Sequence, residues 1–137
     1  MTTPALILDN VRVSYGDGDS EVHALDGVSL TVNPGEFVAV VGPCIAQGSY
    51  EVGADYQDRF ARHDPGSERF FAPGATDDKR QFDLPGFVQA QLRAAGIAPV
   101  ENLGICTYAA PERYFSHRYA THQQTKAGRQ IAVIAMT

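Results

Sequence analysis

Residues 36–49 read EFVAVVGPCIAQGS. The nearly continuous apolar run over 36–41 predicts a buried central strand. It delivers the chain to Gly42-Pro43, where a phosphate-binding loop is expected. The Walker A pattern requires a Gly, four further residues and then Gly-Lys-Ser/Thr. Counted from Gly42, the second glycine belongs at position 47, which is Gln47; Gly48 comes one place late and is followed by Ser49, not a lysine. Without that lysine no side-chain cation meets the outer phosphates. The residues before Gly42 and those after Pro43 read as pieces of two different proteins.

Charge divides at the same place. Before residue 44 the only Lys or Arg is Arg12, against Asp9, Asp17, Asp19, Glu21, Asp26 and Glu36. From Cys44 onward there are ten residues of each sign, so the whole excess of −5 lies in the first segment. A compositional step of this kind points to two origins. No basic stripe is present to meet nucleic acid. The chain of 137 residues is 44% hydrophobic, enough to build a core and too apolar for a disordered chain. No stretch approaches the roughly 20 apolar residues of a membrane span. The start lacks the basic and long apolar regions of a secretory signal, so a cytoplasmic location is expected. Cys44 and Cys106 do not form a disulfide framework.

Alternation over 5–13 (ALILDNVRV) predicts a strand. Residues 15–20 (YGDGDS) form a turn. Residues 22–32 give a second strand, or a strand pair broken at Asp26-Gly27, a common hairpin dipeptide. Asn33-Pro34-Gly35 is a further turn. Val52, Tyr56 and Phe60 recur every four residues and predict a helix over 51–63. Residues 64–81 are punctuated by Pro65-Gly66, Pro73-Gly74 and Asp77-Asp78 and read as a loop, pinned by Phe70-Phe71. Asp83 as cap and Pro85 in the first turn open a helix over 84–95, whose stripe is Leu84, Phe87, Val88, Leu92 and Ala95 and whose stop is Gly96. Strands are expected over 100–108 and 129–136, and a short helical turn over 111–118. The fold class is mixed α/β: a β-rich N-terminal segment, then a unit with two main helices and a mixed sheet.

The strings LDNVRVSYG and HALDGVSLTVNPGEFVAVVGP resemble the opening of an ATP-binding cassette subunit. In that family the aromatic residue matching Tyr15 stacks on adenine. The resemblance stops at Pro43, before the Walker A lysine, the signature motif and the Walker B strand. By analogy with base–aromatic contacts, stacking alone supplies about 1–3 kcal/mol, a millimolar or weaker site. The alternative readings of the chain are a degenerate nucleotide-binding module or a non-functional fusion product.

From Gly42 onward, GPCIAQGSYEVG, FDLPGFVQAQLRAAGI, LGICTYAAPERYFSHR and GRQIAVIAM resemble, in order, the C-terminal part of the laccase-domain family, also called multicopper polyphenol oxidases. The resemblance implies a cytoplasmic enzyme, a purine nucleoside phosphorylase that also deaminates adenosine, with a zinc or copper centre. For zinc the implied ligands are two histidines and a cysteine in the upstream half of the domain, one of them in a motif that contains tryptophan. This chain has no tryptophan, and no family ligand is carried over to it. The expected organisation is an incomplete cassette-like segment, 1–43, joined to a partial laccase domain, 44–137. The chain is expected to bind no metal of its own and to have little activity, with purine nucleoside and phosphate as partners if active. Half a domain exposes apolar faces, so self-association is a further expectation.

Few groups remain for chemistry. Zinc takes about four ligands and favours thiolate and imidazole; the chain offers Cys44, Cys106, His63, His117 and His122, with His23 in the first segment. His117 and His122 stand five apart, which does not put both on one helical face. Cys106 is a candidate nucleophile with His117 as its base. Its ordinary role is a buried thiol in a strand. Phosphorolysis requires a cationic clamp. Arg113, Arg118 and Arg129 lie in the final matching blocks, with Tyr114 and Ser116 as donors or stacking groups, and arginine suits bidentate phosphate contacts. Tyr119 follows Arg118 where the family often places a second arginine.

Overall fold

The computed structural model of the chain describes residues 3–15 and 22–129. The chain forms two compact units, Met1–Val38 and Ala39–Thr137. The turn expected over 15–20 falls, after Tyr15, outside the described residues, as does the closing strand expected over 129–136 beyond Arg129.

The first unit is an antiparallel pair, β1 (Leu6–Tyr15) and β2 (Val22–Val32). Its register runs from Leu6 opposite Val32 to Tyr15 opposite Val22. Between the pairs Leu8–Leu30 and Val11–Val28, β1 uses one more residue than β2. The bulge is absorbed at Asn10, which takes a φ of 48° and donates its N–H to Ser29 Oγ at 2.9 Å. Between Val11–Val28 and Val13–Leu25 the extra residue lies in β2, where Gly27 has a φ of 75°. Asp26-Gly27 is therefore a bulge within one continuous strand, not a break. A left-handed residue kinks a strand without reversing it when ladder pairing continues on both sides. The Asn33-Pro34-Gly35 turn forms as expected. Gly35 takes a φ of 77°, Glu36 N–H donates to Asn33 O at 3.1 Å, and the Glu36 carboxylate accepts from the Asn33 N–H at 2.8 Å.

The second unit opens with β3 (Ala39–Val41), shorter than the strand expected over 36–41. It pairs in parallel with β7 (Val100–Asn102), Ala39 opposite Val100 and Val41 opposite Asn102. Val41 and Val100 are buried, but Val40 is 47% exposed. The apolar run is thus covered on one side only, unlike a central strand. β7 is also shorter than expected over 100–108. After it the backbone turns at Gly104, with a φ of 68°, and rejoins the ladder at one residue: Cys106 forms a parallel bridge with Cys44.

A three-stranded antiparallel sheet follows, in the order β4 (Glu51–Gly53), β6 (Lys79–Phe82), β5 (Phe71–Pro73). Two expectations are corrected here. The helix expected from 51 begins at Ala54, because residues 51–53 pair with 79–81. The loop expected over 64–81 contains a 3-10 turn, Pro65–Phe70, and both strands of a hairpin. α1 (Ala54–His63) lies against β4 and β6, and α2 (Leu84–Ala94) reaches their core through Phe87. The core centres on Phe82, which is fully buried. Its ring stacks on Phe71 at 4.7 Å between centroids and meets Phe60 at 5.1 Å, Tyr56 at 5.7 Å, and Phe87 and Tyr50 at 5.8 Å. The spacing that predicted a helix face brings Tyr56 and Phe60 to 4.9 Å.

α2 forms for the expected reasons. The Asp83 side chain accepts from Gly86 N–H at 3.0 Å, Pro85 occupies the first turn, and Gly96, at a φ of 82°, stops the helix. It packs beside β3 and β7. The helical turn expected over 111–118 is displaced: α3 runs His117–Gln123, with Ser116 as its cap accepting from Tyr119 N–H at 3.3 Å. The class is mixed α/β, with three α-helices and small sheets among the described residues.

Candidate functional site

A cleft of about 260 Å³ gathers the loop after β3, the start of α2 and the start of α3. Its walls are Ile45, Tyr50, Leu84, Thr107, Ser116, His117 and Arg118. Each position has a local cause. The Cys44 bridge fixes both Ile45 and Thr107: Cys44 N–H donates to Ile105 O at 3.2 Å, and Thr107 N–H to Cys44 O at 3.0 Å. Tyr50 is held against Phe82, and its backbone carbonyl accepts from Phe82 N–H at 3.0 Å. The Ser116 cap starts α3 and so sets the places of His117 and Arg118.

Arg118 is the cation of this cleft. Its guanidinium lies over the Tyr50 ring, 5.4 Å from the centroid, and Nη1 donates to Glu51 O at 2.6 Å. The remaining N–H donors of a guanidinium stay in a fixed fork. The arrangement is a planar cation stacked on an aromatic ring beside a hydroxyl and an imidazole. It can bind an anion and a flat ring side by side. Arg113 is exposed in the turn before α3, over the Tyr114 ring at 5.7 Å, and Arg129 is exposed beyond α3. Neither lines the cleft.

Cys106 occupies the adjoining bridge. Its Sγ accepts from Ala46 N–H at 3.4 Å and lies 3.8 Å from Ser49 Oγ. Burial pulls the thiol pKa up, but hydrogen bonds from the backbone N–H groups of Ala46, Ala109 and Tyr108 and from the Ser49 side chain together bring it below the ordinary thiol value. Cys44 moves the other way. Burial raises it, and the negative charges of Cys106 and Asp83 add to the effect. The groups that set the Cys106 thiol are these N–H donors and Ser49; His117 is not one of them.

The other expected residues are scattered. His122 shares a 2.9 Å hydrogen bond with the Tyr108 hydroxyl, and His63 lines a separate cleft of about 420 Å³ beside α1. Tyr15 ends β1 in register with Val22. Among the described residues no three His, Cys, Asp or Glu side chains converge as a metal would require. A further cleft, about 620 Å³, contains Arg80, whose guanidinium is held by Gln57 Oε1 at 2.7 Å, Asp77 O at 2.8 Å and Lys79 O at 2.7 Å. Sequence reasoning missed Tyr50, Thr107 and Ser49. Tyr50 and Ser49 lie inside the quoted string GPCIAQGSYEVG, and that membership was the available signal.

The model of the family described as multi-copper polyphenol oxidoreductase laccase matches residues 21–137. A Rickettsia conorii protein named purine nucleoside phosphorylase is 37% identical over 95 residues, which are 69% of this chain and 40% of that protein. A Pseudomonas aeruginosa protein of the same name is 26% identical over 106 residues, 77% of this chain and 42% of that protein. The macrolide export ATP-binding/permease protein MacB of Hyphomonas neptunium is 62% identical over 42 residues, 31% of this chain and 6% of that protein. The crystal structure of Neisseria meningitidis protein NMB0706 superposes with a TM-score of 0.55 at 29% identity, covering 60% of this chain and 34% of that one. The chain thus spans about 40% of the length of the phosphorylase-named relatives. The blocks from GPCI to the closing segment, and a family match over most of the chain, lead to one assignment: this chain belongs to the multi-copper polyphenol oxidoreductase laccase family.

Proposed function

We propose that residues 44–137 carry one wall of a purine-nucleoside and phosphate site, and that this chain alone turns such substrates over little or not at all. The observation that carries the reading is the cleft in which Arg118 stacks on Tyr50 beside Ser116 and His117. A purine is flat and a phosphate is anionic, and the cleft offers an aromatic face and a guanidinium for the two. The names of the relatives supply the substrate class. Arg118 holds the anion, Ser116 adds a donor and Tyr50 supports the ring. Arg113 and Arg129 act outside the cleft, if on substrate at all then through a longer reach. Cys106 and His117 are not a nucleophile–base pair in this reading, since the sulfur is served by N–H donors and Ser49. The copper in the family name, or a zinc in its place, belongs to ligands outside this segment.

Residues 1–43 have, on the same proposal, a separate origin in an ATP-binding cassette. The favouring observation is the 62% identity to a macrolide exporter over 42 residues. An ATP site there rests on Tyr15 alone and is weak. Exposed apolar side chains of the second unit, Val40, Leu103 and Phe115, favour association between copies. The test of the cleft is NMR titration of the full chain with inosine and phosphate. Shifts concentrated at Tyr50, Thr107, His117 and Arg118, and lost in Arg118→Ala, are expected. Shifts elsewhere, or none, overturn the reading.

A further inference from the structure

Cys44 and Cys106 are opposite partners in a parallel bridge, closed by hydrogen bonds of 3.2 and 3.0 Å on either side. Neighbouring strands lie about 4.7–4.9 Å apart, and directly paired residues send their side chains to the same face. Disulfides span Cα separations of about 4.4–6.8 Å, so the bridge holds two thiols within the range of one. Both cysteines are free and only partly buried. Their surroundings differ. The Cys106 sulfur sits in a polar cradle: it accepts from Ala46 N–H at 3.4 Å and donates as a thiol to Ser49 Oγ at 3.8 Å, a hydroxyl that can turn to donate to the thiolate. Burial, with the negative charges of Cys106 and Asp83, favours the protonated form of Cys44. The cradle stabilises a thiolate, the form that attacks, while Cys44 keeps its proton.

We propose that Cys106 is a peroxide-reactive thiol whose oxidised form is resolved by Cys44, closing a reversible disulfide across the Cys44–Cys106 bridge. In the first step the Cys106 thiolate attacks one oxygen of hydrogen peroxide. The S–O bond forms, the O–O bond breaks, sulfur loses two electrons, and hydroxide leaves to become water. In the second step the Cys44 sulfur attacks the sulfenic sulfur of Cys106. The S–S bond forms, the S–O bond breaks, and the departing hydroxide takes the Cys44 proton as a second water. A dithiol reductant reverses the sum. Ser49 and Ala46 are positioning groups that favour the attacking form and touch no peroxide oxygen. Closing the bond ties the GPCI segment to the segment after β7, and both line the cleft through Ile45 and Thr107.

The test uses the full chain exposed to stoichiometric peroxide. Expected are a mass loss of two hydrogens, a Cys44–Cys106 cross-link in the peptide map, an unchanged monomer on a non-reducing gel, and reversal by dithiothreitol. In Cys44→Ser a dimedone adduct accumulates on Cys106, because nothing resolves the sulfenic acid. Ser49→Ala slows the first step several-fold. In the unaltered protein, which removes any question of folding, iodoacetamide labels Cys106 several-fold faster than Cys44. Cross-links between chains, a dimedone adduct on Cys44, or labelling of Cys106 no faster than Cys44 overturn the proposal.

Discussion

Phe82 is the residue on which the second unit closes, since five aromatic rings meet it and it is fully buried. Replacing it by alanine removes these contacts and leaves a cavity, at a cost of about 3–5 kcal/mol. Urea denaturation should show the unfolding free energy fall by that amount, with the midpoint moving to lower urea at an unchanged slope. Cysteine titration gives a prediction of opposite signs. Cys106 lies below the ordinary thiol pKa and Cys44 above it. At neutral pH the Cys106 thiolate fraction is therefore the larger, and the ratio of their alkylation rates is greatest there. As pH rises past both values the fractions converge and the ratio falls toward that of two ordinary thiolates. Mass-spectrometric labelling from pH 7 to 10 checks it; a ratio that rises with pH contradicts the cradle. Individual residues were legible when their chemistry was local. Asp83, Pro85 and Gly96 declared their roles by position. Tyr50 did not, because its value comes from Arg118, far along the chain.

At the scale of elements, caps and turns make separate predictions. Asp83→Ala removes the acceptor of Gly86 N–H and costs about 1 kcal/mol, readable as a lower thermal midpoint. Gly27→Ala meets two penalties: a φ of 75° and an Asn10 Oδ1 only 3.1 Å from the new Cβ. Thermal melting should again fall, by the order of 1 kcal/mol expected where the left-handed region is closed to alanine. Much of the element order was readable: β1, the Asn33-Pro34-Gly35 turn and α2 follow from alternation, turn chemistry and capping. Residues 51–53 were not. Val52 falls four places before Tyr56 and mimics a helical face, but pairing with Arg80 claims it for a strand. The 71–82 hairpin hid behind its Pro-Gly and Asp-Asp punctuation, which marks its turns and not a loop. The bridge at Cys106 was invisible for a related reason: its partner lies 62 positions earlier, and periodicity carries no such pairing.

At the scale of the whole molecule, the chain belongs to the laccase family, whose model matches residues 21–137, and it spans about 40% of the length of its phosphorylase-named relatives; a separate ancestry for residues 1–43 is the proposal made above. Apolar side chains left exposed on that unit, Val40 at 47%, Leu103 at 40% and Phe115 at 59%, predict association that grows with concentration. Light scattering after size exclusion should show mass rising above the 14.8 kDa monomer, and a constant monomer mass would oppose this. In the candidate cleft a guanidinium lies over a tyrosine ring, and on the proposal above this is one wall of a substrate site. The most direct measurement is phosphorolysis itself: inosine or adenosine with phosphate and added zinc, read by product formation on the purified full chain. The account predicts a rate indistinguishable from the protein-free control. Sustained turnover, abolished by Arg118→Ala, would contradict it.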